Sequence, residues 1–277
     1  MSTEPNAAQI DYWNADVGRT WADLQSLLDE QLKPLGRMAM EALALQGGEQ
    51  LIDIGCGCGD TSLDLARLVG PAGWITGVDI SEPMLARARA RTEGLSNFSF
   101  LEADAQSHRF TAGAFDAAFS RFGVMFFADP ALAFSNIARA LKPGGRLAFV
   151  CWRRIEDNPW MSAPSAAVAD LLPPPLASDP LAPGPFAFAD AGRVRDILSE
   201  AGFSEIDILA RDDLIGVSTL EGQTALALKV GPLGSALRQN PDLTQAVVPR
   251  VRECIARYMT PDGARLPASV WIVSAKV

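Results

Sequence analysis

Between residues 50 and 152 the sequence keeps returning to one theme: a short apolar run, a turn, then a helix start. Residues 50–54, 74–79, 98–103, 115–120 and 146–152 have the length and β-branched or aromatic content of buried strands. Asp60-Thr61-Ser62, Ser81-Glu82-Pro83 and Asp129-Pro130 carry helix-start chemistry. Leu65, Leu68 and Val69 share one predicted helix face, and Phe134, Ile137, Ala138 and Leu141 another. Pro71-Ala72-Gly73 and Lys142-Pro143-Gly144-Gly145 stop those helices. Such alternation demands a parallel sheet with helices on both faces. Right-handed crossovers then narrow the topology to a doubly wound α/β sheet.

The flanks read differently. Residues 1–48 are predicted helical, stopping at Gly47-Gly48, and form an N-terminal cap on a domain spanning 49–277. Six of the 19 prolines fall between Pro173 and Pro185, so about 153–188 is an irregular excursion. The theme resumes with a helix over 190–201 and a strand over 204–210. Residues 219–259 are mostly helical, and 268–274 form a last strand. About 153–188 and 213–262 are therefore expected to be lid or substrate insertions.

The glycine-rich stretch LIDIGCGCGD, residues 51–60, falls where the first strand meets its helix. In a doubly wound sheet, ligands bind at the carboxyl ends of the strands. Glycines there permit a tight turn and close backbone approach. Asp79 ends the second strand, 26 residues after Asp53, and Asp104 follows the third, 25 residues later. Acids thus recur along one sheet edge, beside the loop. Asp79 can accept both hydroxyls of a ribose and Asp104 an exocyclic adenine amine. Ile80 and Met84 supply an apolar wall for the base. A dinucleotide and S-adenosylmethionine both use a glycine loop and a ribose acid. Asp53 favours the second, because a carboxylate at the loop entrance repels a pyrophosphate and suits a sulfonium and an ammonium. The spacing G-x-G-x-G also differs from the dinucleotide G-x-G-x-x-G.

At these residues the chain resembles the class I S-adenosylmethionine-dependent methyltransferases. D-I-G-C-G-C-G resembles the first motif, V-D-I-S-E-P-M-L the ribose-acid segment, E-A-D-A-Q the adenine segment, and A-R-A-L-K-P-G-G-R-L the turn into the fifth strand. The order resembles the quinone-biosynthesis methyltransferase group and its small-molecule relatives. The resemblance implies a Rossmann-like, mostly parallel seven-stranded sheet with an antiparallel seventh strand. It further implies that Asp53, Gly55, Cys56 and Gly57 meet the methionine moiety, Asp79 the ribose, and Asp104 and Ala105 the adenine. Ser120 and Arg121 are implied at the amino-acid end or the incoming substrate. Tyr12-Trp13-Asn14 implies a lid, with Trp13 over the cofactor.

Methyl transfer from a sulfonium is a direct displacement driven largely by positioning and electrostatics, so the acceptor side leaves a weak sequence signal. His108 is the one histidine and the candidate base. Tyr12, Trp21, Phe122, Trp152 and Trp160 are the candidate substrate contacts, an aromatic rim suited to an apolar or cationic acceptor. Cys56 and Cys58 have no histidine-rich or C-x-x-C partner set, so no metal site is expected. A net charge of −9 disfavours nucleic-acid and anionic-membrane partners. The N-terminus lacks the basic and apolar regions of a leader, and a cytoplasmic location is expected. The expected activity is S-adenosylmethionine-dependent methylation of a small-molecule acceptor by a protein compatible with a homodimer. A nicotinamide-dependent oxidoreductase and a cofactor-binding protein without turnover are the alternatives.

Overall fold

A computed structural model describes residues 6–174 and 179–277. The expected leader-free N-terminus and part of the proline-rich excursion therefore include positions, 1–5 and 175–178, outside the described residues. Three helices come first: α1 (Ala7–Asn14), α2 (Asp16–Asp23) and α3 (Gln25–Leu43). The alternating segment follows as β1 (Gln50–Ile54), α4 (Asp60–Val69), β2 (Trp74–Asp79), α5 (Glu82–Arg91), β3 (Phe98–Glu102), β4 (Phe115–Arg121), α6 (Pro130–Ala140) and β5 (Leu141–Trp152). Then come α7 (Pro159–Ala166), α8 (Ala191–Glu200), β6 (Ser204–Ile215), α9 (Leu220–Lys229), α10 (Gly231–Gln239) and α11 (Thr244–Ala256). A small hairpin, β7 (Met259–Thr260) and β8 (Gly263–Ala264), leads into β9 (Leu266–Lys276).

Seven strands make the central sheet in the order β3-β2-β1-β4-β5-β9-β6. β1 to β5 pair in parallel, whereas β9 is antiparallel to both β5 and β6. The parallel strands are apolar because both faces are covered: Leu51, Ile52, Ile75, Phe119 and Phe149 are fully buried. Strand order reverses between β1 and β4, so their carboxyl ends diverge there and leave a crevice.

Local departures have physical causes. Lys142-Pro143-Gly144-Gly145 ends α6 as predicted but bulges within a strand that already begins at Leu141; the β4–β5 register shifts between Phe115 and Ala117. Leu68 faces solvent, while Leu65 and Val69 are buried. The irregular excursion opens with a helix, α7, because Pro159 sits in its first turn, where no N–H is needed, and Trp160 and Met161 anchor it. Asp60-Thr61-Ser62 makes no side-chain cap: Gly59, left-handed at φ 79°, precedes the helix, and all three side chains bond elsewhere.

Candidate cofactor and acceptor site

The crevice opens into a cavity of about 500 Å³. One wall is the carboxyl edge of the sheet. The glycine turn after β1 contributes Gly55, Cys56 and Gly57, and Gly55 and Gly57 both have positive φ. The turn is braced from within, since the Gly55 and Cys56 N–H groups donate to Val78 O at 2.8 and 3.2 Å. The Gly57 N–H donates to Asp79 Oδ2 at 2.8 Å, and the Gly59 N–H to Cys56 O at 2.9 Å. These four N–H groups are engaged, so the turn does not offer them to a pyrophosphate.

Asp79 ends β2 and faces the cavity. The Ser81 N–H donates to its Oδ1 at 2.9 Å, complementing the Gly57 bond. Burial pushes its carboxyl up to about 6 despite these donors. Ile80 and Met84 line the same wall. Asp104 and Ala105 follow on the next strand end. Asp104 Oδ1 accepts from the Gln106 N–H at 2.9 Å and from Asn6 Nδ2 at 3.4 Å.

The second wall is the N-terminal cap. Tyr12, Trp13 and Trp21 line it, and Trp13 meets Trp21 and Phe126 edge-on at 5.5 and 5.1 Å. Asn14 fixes the cap to the sheet: its Nδ2 donates to Ile80 O at 2.7 Å, and its Oδ1 accepts from the Glu82 N–H at 2.9 Å. Ser81 Oγ adds a bond to Trp13 O at 2.8 Å. Sequence reading took Tyr12-Trp13-Asn14 as a lid but gave Asn14 no task. Its signal was available, since a side-chain amide is the one group there able to serve a carbonyl and an N–H together.

The far end is aromatic. Phe122 stacks on Trp152 at 4.0 Å and 8°, and Trp152 meets Trp160 at 4.9 Å; all three line the cavity. Phe122 holds φ 61°, a conformation a side chain adopts only at a cost, directly after Arg121, which also lines the cavity. Phe186, Val230 and Pro232 complete this chamber. They come from segments too irregular for sequence patterning to aim at a site.

Three predicted site residues lie off the cavity wall. Asp53 is fully buried behind the glycine turn, where Oδ2 accepts from Thr61 Oγ1 at 2.6 Å and Ser62 Oγ at 2.7 Å. It ties the turn to α4 instead of reaching the methionine moiety. Burial pushes its carboxyl up to about 6, and its Oδ1 has no partner among the described residues. Ser120 is also fully buried, with Oγ donating to Ile54 O at 2.8 Å and accepting from the Gly123 N–H at 3.2 Å. It joins the diverging ends of β1 and β4. His108 packs against Phe110 at 4.8 Å, outside the cavity, because the backbone turns at Asp104 and carries it past the rim. That placement removes it as a base acting in the cavity. Cys56 and Cys58 line the wall, but burial pushes both thiols up, Cys58 to about 12, so both stay protonated near neutral pH.

A doubly wound sheet whose switch point holds a glycine turn, with acids at the next two strand ends, defines a nucleoside-binding α/β protein. Part of the chain is similar to known methyltransferases. Residues 51–145 match the methyltransferase domain family. A demethylmenaquinone methyltransferase of Staphylococcus aureus is 30% identical over 141 residues, half of this chain and 58% of that protein. The alignment thus spans less than two thirds of that relative. In fold, the chain is similar to the Haemonchus contortus phosphoethanolamine N-methyltransferase 2 solved with S-adenosyl-L-methionine. The TM-score is 0.55 at 18% identity, over 88% of this chain and 52% of that one. It is also similar to the YcgJ protein of Bacillus subtilis, with TM-score 0.57 at 16% identity, over 88% and 97% of the chains. The cavity fits S-adenosylmethionine: the buried Asp79 carboxylate faces it beside a glycine turn whose Gly55 and Gly57 hold positive φ.

Proposed function

We propose that the protein transfers the S-methyl group of S-adenosylmethionine to a small acceptor bound in the aromatic chamber. One observation carries this reading: the acid-lined nucleoside end and the aromatic end are parts of a single cavity. Bound there, the cofactor supplies an electrophilic methyl with a neutral thioether as leaving group. Asp79 is the residue to hold the ribose, Asp104 and Ala105 the adenine, and Gly55, Cys56 and Gly57 the methionine moiety. Ile80, Met84 and Trp13 give the apolar walls. Phe122, Trp152 and Trp160 orient the acceptor, with Tyr12 and Trp21 on the cap side. An apolar wall of stacked rings suits a flat conjugated acceptor, the kind named in the Staphylococcus relative, better than a small charged amine. The cap, α7, Phe186 and α10 exclude water from the transfer. A cytosolic setting agrees with four cysteines that are all free thiols.

The test is methyl transfer from isotopically labelled S-adenosylmethionine to a panel of hydroxylated aromatic and quinone-derived acceptors, read by mass spectrometry. Asp79→Ala should abolish cofactor binding in calorimetry and transfer together. Cofactor binding by the wild type with no transfer to any acceptor class would favour a binding protein without turnover. Unchanged cofactor affinity in Asp79→Ala removes the ribose assignment.

A further inference from the structure

The rim of the cavity carries charges that the cofactor side does not use. Among the basic residues lining it, Arg121 is engaged by Asp29 and Asp60. Lys229 and Arg238 also line it, and both are exposed. Neither has an acid within ion-pair distance among the described residues. Lys229 ends α9, and Arg238 stands near the end of α10, so the junction of the two helices brings them to one opening. Arg238 Nη1 donates to Lys229 O at 2.9 Å, and its Nη2 donates to Tyr12 Oη at 3.4 Å. Both acceptors are neutral. They fix the guanidinium between α10 and α1 and leave its charge uncompensated. Its remaining N–H groups stay free to donate. The Lys229 ammonium makes no hydrogen bond among the described residues. Tyr12 and Ser235 add hydroxyls to the same lining, with Ser235 three residues before Arg238 on one face of α10.

The chamber adjoins this rim, since Val230 and Pro232, between Lys229 and Ser235, are part of its wall. The lining acids are elsewhere: Asp79 and Asp104 on the nucleoside wall, Asp29 in its ion pairs. In a chain of net charge −9, two unneutralised cations at one opening draw in an anion and repel a cation. They count against the cationic acceptor that an aromatic wall alone would also hold. We propose that the methyl acceptor is a flat aromatic molecule bearing a carboxylate, its ring in the chamber and its carboxylate at Lys229 and Arg238. This names the substrate class of the site proposed above and rests on that reading. A planar guanidinium beside a rotatable ammonium suits a two-oxygen anion. Both side chains select and orient the acceptor and take no part in the displacement.

The test is calorimetry on protein saturated with S-adenosylhomocysteine, titrated with hydroxylated benzoic and naphthoic acids and their matched carboxamides. Wild type should bind its best acid about 4- to 100-fold more tightly than the corresponding amide, a preference that shrinks as salt rises. Lys229→Gln and Arg238→Gln should each cut that ratio by about 2- to 10-fold, and the double variant should abolish it. Affinity for the amide should stay within about twofold throughout. Arg238→Lys keeps the charge and should retain most of the preference. Acids bound no better than amides, or a preference that survives the double variant, overturns the inference. Binding of S-adenosylhomocysteine without binding of any acid overturns it too and leaves the cofactor reading intact. Acid-selective binding without methyl transfer to any acceptor removes the transferase reading and the acceptor assignment with it.

Discussion

The switch-point crevice depends on two backbone turns touching with no side chain between them. A Cβ on Gly123 would lie 2.8 Å from Ile54 O, 2.9 Å from the Cα of Gly55 and 3.1 Å from Ser120 Oγ. Gly123 itself has ordinary helical angles, φ −81° and ψ −38°, so alanine there meets no backbone strain, only the clash. Two of the three contacts are backbone and cannot rotate away. Overpacking of this kind costs about 1–3 kcal/mol. In a chain of this size each kcal/mol lowers Tm by about 2–4 °C, so Gly123→Ala should melt roughly 2–12 °C below wild type. Relief requires the turn after β1 to move, and that turn positions Gly57 against Asp79, so affinity for S-adenosylhomocysteine should fall as well. Gly47→Ala is the matched control, because its Cβ would meet nothing closer than Val69 O at 3.9 Å. Thermal melting by circular dichroism and calorimetry on both variants decide the matter. A Gly123→Ala protein with wild-type Tm and affinity would refute the argument that these turns are in hard contact.

Three further outcomes are expected. The folded-state value of about 6 for Asp53 lies above its ordinary 3.8, so its contribution to stability is complete below about pH 4 and is lost as pH rises through 6. Asp53→Asn should therefore flatten the fall in Tm between pH 4 and pH 7, by on the order of 3 kcal/mol of pH-dependent stability; parallel wild-type and variant profiles would contradict this. Asn14→Ala removes two hydrogen bonds between cap and sheet, about 1–3 kcal/mol together. Amide exchange in α1 and α2 should accelerate about 5- to 100-fold while β1 and β4 keep their protection. His108→Gln should bind S-adenosylhomocysteine within about twofold of wild type, and a tenfold loss would show that the ring reaches the cofactor.

The cofactor side of the site was legible because it obeys spacing. Each βα unit returns the chain to the same sheet edge, so Gly57, Asp79 and Asp104 could be placed together from their intervals alone. The same regularity misled at Asp53 and Ser120, because a strand alternates its side chains across the sheet and position alone does not say which point into the crevice. The acceptor side obeys no period. Phe186 and Val230 reach the cavity from a proline-rich segment and a helix junction, where long-range packing decides direction. The domain match ends at residue 145, so Trp152 and Trp160 of the aromatic chamber lie outside it.

The strand order has a consequence for how the protein is made. β9 is translated after β6, yet it lies between β5 and β6 and, among the described residues, is the only strand that pairs with β6. Until β9 emerges from the ribosome, the β5 backbone edge over residues 146–152 has no neighbour, and Leu147, Phe149 and Val150 lie along it. A nascent chain thus carries an open, apolar edge through the synthesis of more than a hundred residues, the interval in which chaperone capture or misassembly competes with closure.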